Sequence, residues 1–317
     1  MPKIRPRWRR YDLDGEDTTS TPEMRSRRGR YDLDAGDAIS AGEDGGVTRP
    51  DIRLIAVDMD GTLLDAAGAI PAGLWPLLDR LRERGIAFAP ASGRQLATLQ
   101  AMFAGCDTEL DFIAENGAYV VRDGAEVSSD AMQPEIVASV IARVRELVAA
   151  GALRTSVVLC GKRSAYIEDV EPRFRAEAEK YYAQLAVVDD LTDVDDQVLK
   201  LALFDMDGGE AQTAPRFADL EATHQVVVSG LHWVDIMNQG VNKGVALRRL
   251  QSAMGITAAQ TAAFGDYLND IELLQAADWS YAMADAHPDV VAVARHRAPS
   301  HVDAGVLTVI EELLGAS

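Results

Sequence analysis

Ile52-Arg53-Leu54-Ile55-Ala56-Val57-Asp58-Met59-Asp60-Gly61-Thr62 is the stretch that decides the fold. Up to Val57 it is a run of strand length, apolar except for Arg53, and the run stops at two aspartates and a glycine. The next segments repeat the unit. A helical stretch over Leu74–Arg84 ends at Gly85, and Ile86–Ala91 reads as a second buried strand leading into Ser92-Gly93-Arg94. A third strand, Asp111–Ala114, runs into Glu115-Asn116-Gly117. Strand and helix in alternation, with nearly continuous apolar strands, predict an α/β fold: a Rossmann-like parallel sheet with helices on both faces. In such sheets ligands collect beyond the carboxyl ends of the strands, where these polar clusters lie.

From about Met132 to Val234 the pattern changes. Amphipathic helices over Pro134–Ala150, Glu171–Gln184 and Ala214–Thr223 alternate with strands at Thr155–Leu159, Val198–Phe204 and Gln225–Val228. This predicts an inserted α/β cap domain, residues 132–234, within a core made of residues 51–131 and 235–317. The chain returns through Gly240-Val241-Asn242-Lys243-Gly244, a helix to about Met254, and a strand Thr261–Phe264 that ends in Gly265-Asp266-Tyr267-Leu268-Asn269-Asp270. Residues 1–50 differ from everything after them. Arg10-Tyr11-Asp12-Leu13-Asp14 recurs as Arg30-Tyr31-Asp32-Leu33-Asp34 among residues with few large apolar side chains, which predicts a disordered tail with a duplicated motif and no identified partner.

The clusters define a chemistry. Asp58 and Asp60, two residues apart just past a strand, lie close together, and Gly61 allows a sharp turn. One carboxylate can attack while the other handles protons, and a carboxylate that attacks phosphorus gives an acyl phosphate that water can hydrolyse. Asp266 and Asp270 bring hard oxygen ligands from a second strand end, and with Asp58 and the Asp60 carbonyl they suit Mg²⁺. Lys243, the Ser92 hydroxyl and the Gly93 N–H can hold phosphoryl oxygens, and Thr62 adds a hydroxyl and an N–H. Arg94, Glu115 and Asn116 sit at strand ends on the ligand side, where Arg94 could grip a substrate anion or pair with a structural carboxylate.

Composition narrows the partners. With 31 Lys and Arg against 50 Asp and Glu, the formal net charge of −19 disfavours nucleic acid and anionic membrane surfaces, so a small anionic substrate needs a local positive site. Cys106 and Cys160 are too few for a disulfide framework or a thiolate metal site, which makes a cytoplasmic location the expectation. No apolar run approaches the roughly 20 residues of a membrane span, and the charged start does not read as a signal peptide.

The ordered set Asp58-Met59-Asp60-Gly61-Thr62, Ser92-Gly93-Arg94, Lys243 and Gly265-Asp266-Tyr267-Leu268-Asn269-Asp270 resembles the haloacid dehalogenase superfamily, and the inserted unit resembles the cap of its Cof-type phosphatases. The resemblance runs from Ile52 to the C-terminus. It implies Asp58 as nucleophile, Asp60 as acid and base, Ser92 and Lys243 as phosphate holders, Asp266 and Asp270 as metal ligands, and Asn269 near the phosphate. Sugar phosphates are the substrate class it implies. A phosphomutase would share these motifs and return the phosphoryl group to a sugar; a non-catalytic binding protein would lack at least one of the key side chains. Phe204-Asp205-Met206-Asp207-Gly208-Gly209 repeats the first motif inside the inserted unit, but without the Thr or the later partners, so it reads as a surface turn. His232 and Trp233, where the cap returns to the core, are candidates for packing or substrate contact. The five histidines show no paired ligand spacing.

Overall fold

In the first strand, β1 (Leu54–Asp58), side chains alternate between two apolar clusters: Ile55 and Val57 enter one, Leu54 and Ala56 the other. A strand buried on both faces in this way must lie inside a sheet that is covered on both sides. The structure, a computed structural model, describes residues 50–106 and 109–315; the expected tail, apart from Pro50, lies outside the described residues.

The core's first half continues with α1 (Leu74–Glu83), β2 (Ala87–Ala91), α2 (Leu96–Met102), β3 (Phe112–Ala114), β4 (Tyr119–Arg122) and β5 (Ala125–Ser129). The inserted unit holds α3 (Pro134–Ala149), β6 (Thr155–Gly161), β7 (Ala165–Ile167), α4 (Pro172–Tyr181), β8 (Leu185–Val187), β9 (Val198–Asp205), β10 (His224–Val228) and β11 (Trp233–Asn238). The core resumes with α5 (Lys243–Met254), β12 (Thr261–Gly265), α6 (Ile271–Gln275), β13 (Trp279–Ala282), α7 (Pro288–Val293), β14 (His296–Arg297) and α8 (Gly305–Leu314).

Among the described residues the core sheet runs β14-β13-β12-β1-β2-β3-β4-β5. From β14 to β3 the neighbours are parallel; β4 and β5 are antiparallel, so the sheet is mixed rather than purely parallel. The reversal has a local cause. Glu115, Asn116 and Gly117 all have positive φ (51°, 54° and 100°) and fold the chain back after β3. Asp123-Gly124, with φ of 49° and 71°, then closes the β4–β5 hairpin as an Asp-Gly turn of the primed type. On one face α1, α2 and α8 bury Leu77, Leu81, Leu99, Val306 and Ile310; on the other α5, α6 and α7 bury Leu247, Leu250, Leu273 and Val290. Each such leucine or isoleucine contributes about 1.5–3 kcal/mol.

The cap sheet runs β10-β11-β9-β6-β7-β8, antiparallel except between β7 and β8. The strand Trp233–Asn238 pairs with both β9 and β10, so the cap extends through Asn238 and does not end at Val234. The helix expected over Ala214–Thr223 is replaced by two short turns, Ala214–Arg216 and Ala218–Ala222. Phe217 between them leaves helical geometry (φ −119°, ψ 10°) and is fully buried, so tertiary burial overrides the local helical pattern. The two chain crossings into the cap are tied together: Asn238 Nδ2 donates to Asp130 Oδ1 at 2.7 Å and to the Ala131 carbonyl at 3.0 Å. At another edge of the cap, Gln95 and Thr98, which flank the start of α2, exchange hydrogen bonds with the backbone of Tyr181, Ala183 and Gln184. No helix among the described residues is long and apolar enough to cross a membrane.

Candidate active site

The chain leaves β1 for β2 on one side, and leaves the adjacent parallel strand β12 for β13 on the other. This is the switch point of the sheet, where the strand ends diverge and leave a crevice. Asp58 is the last residue of β1, and Asp266 follows the last residue of β12. Gly61 makes their approach possible. Its φ is +77°, and a Cβ at that position would lie 2.4 Å from Asp266 Oδ2. Thr62 then donates its hydroxyl proton to Asp266 Oδ1 at 2.8 Å.

Lys243 enters from the opposite side as the first residue of α5. Asn242 caps that helix by accepting from the Val245 N–H at 2.8 Å. The next residue, Gly244, allows α5 to approach α6, since a Cβ there would lie 2.0 Å from the Glu272 carbonyl oxygen. Lys243 Nζ donates to Asp58 Oδ1 and, at 2.7 Å, to Asp270 Oδ1. The other Asp270 oxygen accepts from the Asp266 and Tyr267 N–H groups at 3.1 and 3.3 Å.

Asp58, Asp266 and Asp270 each offer a carboxylate oxygen, and these atoms lie within 4.8 Å of one another. Burial, and then the charge of Asp270, push the Asp58 carboxyl well above the usual range; the same two causes push Asp266 up to about 7. Burial opposes the charge of Lys243, but Asp270 and Asp58 outweigh it and raise its pKa. Three carboxylates face one ammonium, so the site holds a surplus of negative charge that another cation would neutralise. Clustered hard oxygen donors of this kind fit a divalent metal.

Asp60 is turned elsewhere. Its carboxylate receives both Nε (3.0 Å) and Nη2 (2.6 Å) of Arg94, and it stands outside the three-carboxylate cluster. The ligand expected from Asp60 was its carbonyl. Arg94 therefore meets a protein carboxylate in this structure rather than presenting a free guanidinium. Ser92, buried at the end of β2, accepts from the Arg94 N–H at 3.2 Å, and its carbonyl receives the Asn116 N–H at 2.9 Å. Asn269 Nδ2 donates to Asn116 Oδ1 at 3.3 Å. Asp58, Asp60, Ser92, Gly93, Asn116 and Asn269 thus line a single cavity of about 90 Å³ with Asp266. The two consecutive left-handed non-glycine residues, Glu115 and Asn116, lie at its edge, where such backbone strain gathers in functional sites.

A family model of haloacid dehalogenase-like hydrolases matches residues 55–310. The chain belongs to that family. Among curated relatives, this haloacid dehalogenase-like hydrolase is 35% identical over 268 residues to the 5-amino-6-(5-phospho-D-ribitylamino)uracil phosphatase YbjI of Escherichia coli, covering 83% of this chain and 96% of that one. It is 29% identical to the HMP-PP phosphatase of Cronobacter sakazakii, over 77% of this chain and 88% of that one. Among solved structures, a Streptococcus mutans protein aligns with a TM-score of 0.72 and 31% identity, covering 84% of this chain and all of the other. The hydrolase is thus an enzyme of the phosphatase kind.

The cavity has a wall that the sequence reading did not include. Lys200, Ser229 and Asp235, all from the cap of this hydrolase, close it opposite Asp58. Lys200 Nζ pairs with Glu115 Oε2 at 2.9 Å and Asp235 Oδ2 at 3.3 Å, and donates to the Gly93 carbonyl at 3.3 Å. A signal was present: Lys200 and Asp235 are charged residues inside otherwise apolar strand runs, a pattern that demands a buried partner.

The second Asp-x-Asp-Gly is the expected surface turn only at Met206-Asp207. Asp205 is fully buried and its Oδ2 accepts from the Thr155 and Thr213 hydroxyls at 2.8 and 2.6 Å. Only Asp207 is exposed enough to meet Arg154, at 3.2 Å. His232 lies beside this second copy, its Nδ1 2.7 Å from the Asp205 carbonyl. Trp233 packs on Phe204 at 5.0 Å and Tyr181 at 5.9 Å, in a small pocket that shares Lys200 and Asp235 with the cavity.

Proposed function

We propose that this chain is a Mg²⁺-dependent phosphatase for small phosphate monoesters, sugar phosphates foremost, which works through a phosphoryl group carried on Asp58. The observation that carries the reading is the meeting of Asp58, Asp266 and Asp270 with Lys243 at the sheet's switch point. Asp58, Asp266, Asp270 and the Asp60 carbonyl would hold the metal. Bound there, Mg²⁺ supplies the charge that keeps the nucleophile ionised and screens it from the phosphate.

The residues then divide the work. Lys243, already directed at Asp58 Oδ1, holds that carboxylate and an adjacent phosphoryl oxygen. The Ser92 hydroxyl, the Gly93 N–H and Asn269 bind the remaining oxygens, and Thr62 fixes Asp266. Asp58 attacks phosphorus in line, the ester oxygen departs, and Asp60 gives it a proton. Asp60 then takes a proton from the water that cleaves the aspartyl phosphate, returning Asp58 and releasing phosphate. The cap, closed over the cavity, excludes bulk water during transfer.

Relatives named as phosphatases of a ribitylamino phosphate and of HMP-PP support a small phosphorylated substrate. Phosphate release from a panel of monoesters, with Mg²⁺ and with chelator, tests the reading. Release that survives chelation, or an Asp58→Asn protein with comparable turnover, would sink it.

A further inference from the structure

One face of the cap sheet mixes apolar and polar side chains. Ala202 on β9 stands opposite Asp235 on β11, so Lys200, Ala202 and Asp235 share a face. Val227 also stands opposite Asp235, and Ser229, two residues on, points the same way. Ala202, Phe204 and Trp233 of that face pack under α4. Lys200, Asp235 and Ser229 run diagonally across it, one on each of β9, β11 and the end of β10, and line the cavity beside Asp58. The opposite face, with Leu201, Leu203, Val234 and Ile236, is apolar and covered by α3.

The polar groups are unequally satisfied. Lys200 donates to Asp235 and the Gly93 carbonyl and forms an ion pair with Glu115. Asp235, 5% exposed, accepts from Lys200 with Oδ2, while its Oδ1 has no hydrogen-bond partner among the described residues. The Ser229 side chain, 7% exposed, likewise has none. The wall therefore offers a substrate a carboxylate oxygen and a hydroxyl, and its one cation, Lys200, is already flanked by two carboxylates. Lys200 balances two carboxylates, Glu115 and Asp235, so the local charge is negative.

Resting on the phosphatase reading above, we propose that Asp235 and Ser229 form the leaving-group subsite, selecting esters whose alcohol carries hydroxyl or amino donors and rejecting those that carry a second anion. The phosphoryl end meets Lys243 and Ser92, and the other end meets an acidic acceptor wall. A hydroxyl bonded to a buried carboxylate is favoured over a methylene, whereas an anion there is desolvated and repelled.

Three five-carbon esters separate these terms: xylitol 5-phosphate, n-pentyl phosphate and 5-phospho-D-xylonate. The wild-type enzyme with Mg²⁺ is expected to prefer the xylitol ester over each of the others by about tenfold to a hundredfold in kcat/KM. Asp235→Asn keeps an acceptor but removes the charge, so it should erode the preference over the xylonate about tenfold while retaining part of the preference over the pentyl ester. Ser229→Ala, a change with little risk to folding, should reduce the preference over the pentyl ester and leave the discrimination against the xylonate. Wild-type values within threefold of each other, or variants that lower all three esters by one common factor, would overturn the subsite while leaving the phosphatase reading intact. No release from these three while other monoesters of the panel are hydrolysed would overturn the subsite alone; no release from any monoester would remove both.

Discussion

Asp58-Met59-Asp60-Gly61 and Asp205-Met206-Asp207-Gly208 are the same four residues, each placed where a buried strand ends, yet they have opposite surroundings. In both, the first aspartate is buried and the second pairs with an arginine: Asp60 with Arg94, and Asp207 with Arg154. What differs is what arrives from the rest of the chain. Asp58 meets a lysine and two further carboxylates, whereas Asp205 meets two threonine hydroxyls and the N–H of Asp207 at 2.8 Å. Hydroxyls and an N–H satisfy a carboxylate and quiet it. A shared ammonium and like charges leave one with unbalanced charge, the setting that the proposed nucleophile requires. The short string sets a local geometry, and its distant partners set the chemistry.

The largest expected effect breaks the pair outright. Asp58→Asn should lower kcat for phosphate release by at least ~10³-fold, while Asp205→Asn should leave kcat within about twofold; steady-state kinetics on one ester decides it. The metal separates the two next. Mg²⁺ should raise the thermal midpoint of the wild-type protein, as any ligand of the folded state does, and of Asp205→Asn alike; a full shift in Asp266→Asn would show that the three-carboxylate cluster is not the cation site. Stability should then reverse the ranking. Asp205→Ala removes the buried acceptor shared by the Thr155 and Thr213 hydroxyls and the Asp207 N–H, and should cost about 1–3 kcal/mol in denaturant unfolding, with kcat retained.

The smallest effect uses a third buried aspartate as a reference. Asp111, 5% exposed, has an Oδ2 with no partner among the described residues, and burial raises its pKa to about 6, opposed by Arg122. With the folded pKa above the ordinary 3.8, its stabilising contribution is complete below about pH 4 and is lost as pH rises through 6. Asp111→Asn should therefore gain stability over wild type across that window, by roughly 1 kcal/mol at neutral pH once solvent screening is allowed for. Equal stability at pH 4 and pH 7 for both proteins would contradict it.

Much of this was legible in the sequence, for a physical reason. Leu54–Asp58, Ala87–Ala91 and Thr261–Gly265 are strands buried on both faces, and such strands announce themselves as apolar runs whose ends stand out as polar. Lys243 and Asp270 could be placed by their position at helix starts. The cap resisted. Ala165–Ile167 and Leu185–Val187 are too short to show a period, and Trp233–Asn238 carries Asp235 in its middle, which disguised a strand as a hinge. The pairing of Lys200 with Glu115 joins residues 85 positions apart in the chain, a contact that no local pattern encodes. The burial of Asp205 was missed for the same reason, since Thr155 lies 50 residues before it.

The tie between Asn238 and Asp130 has a mechanical consequence. Both crossings of the chain between core and cap pass through one small neighbourhood, so the cap is joined to the core covalently at a single place. Gln95 and Thr98 fasten a second edge, and since their bonds go to main-chain atoms of the cap they hold whatever side chains residues 181–184 carry. Lys200, Ser229 and Asp235 stand on one sheet, so their spacing is set within the cap, and only their distance from Asp58 depends on how the cap sits on the core.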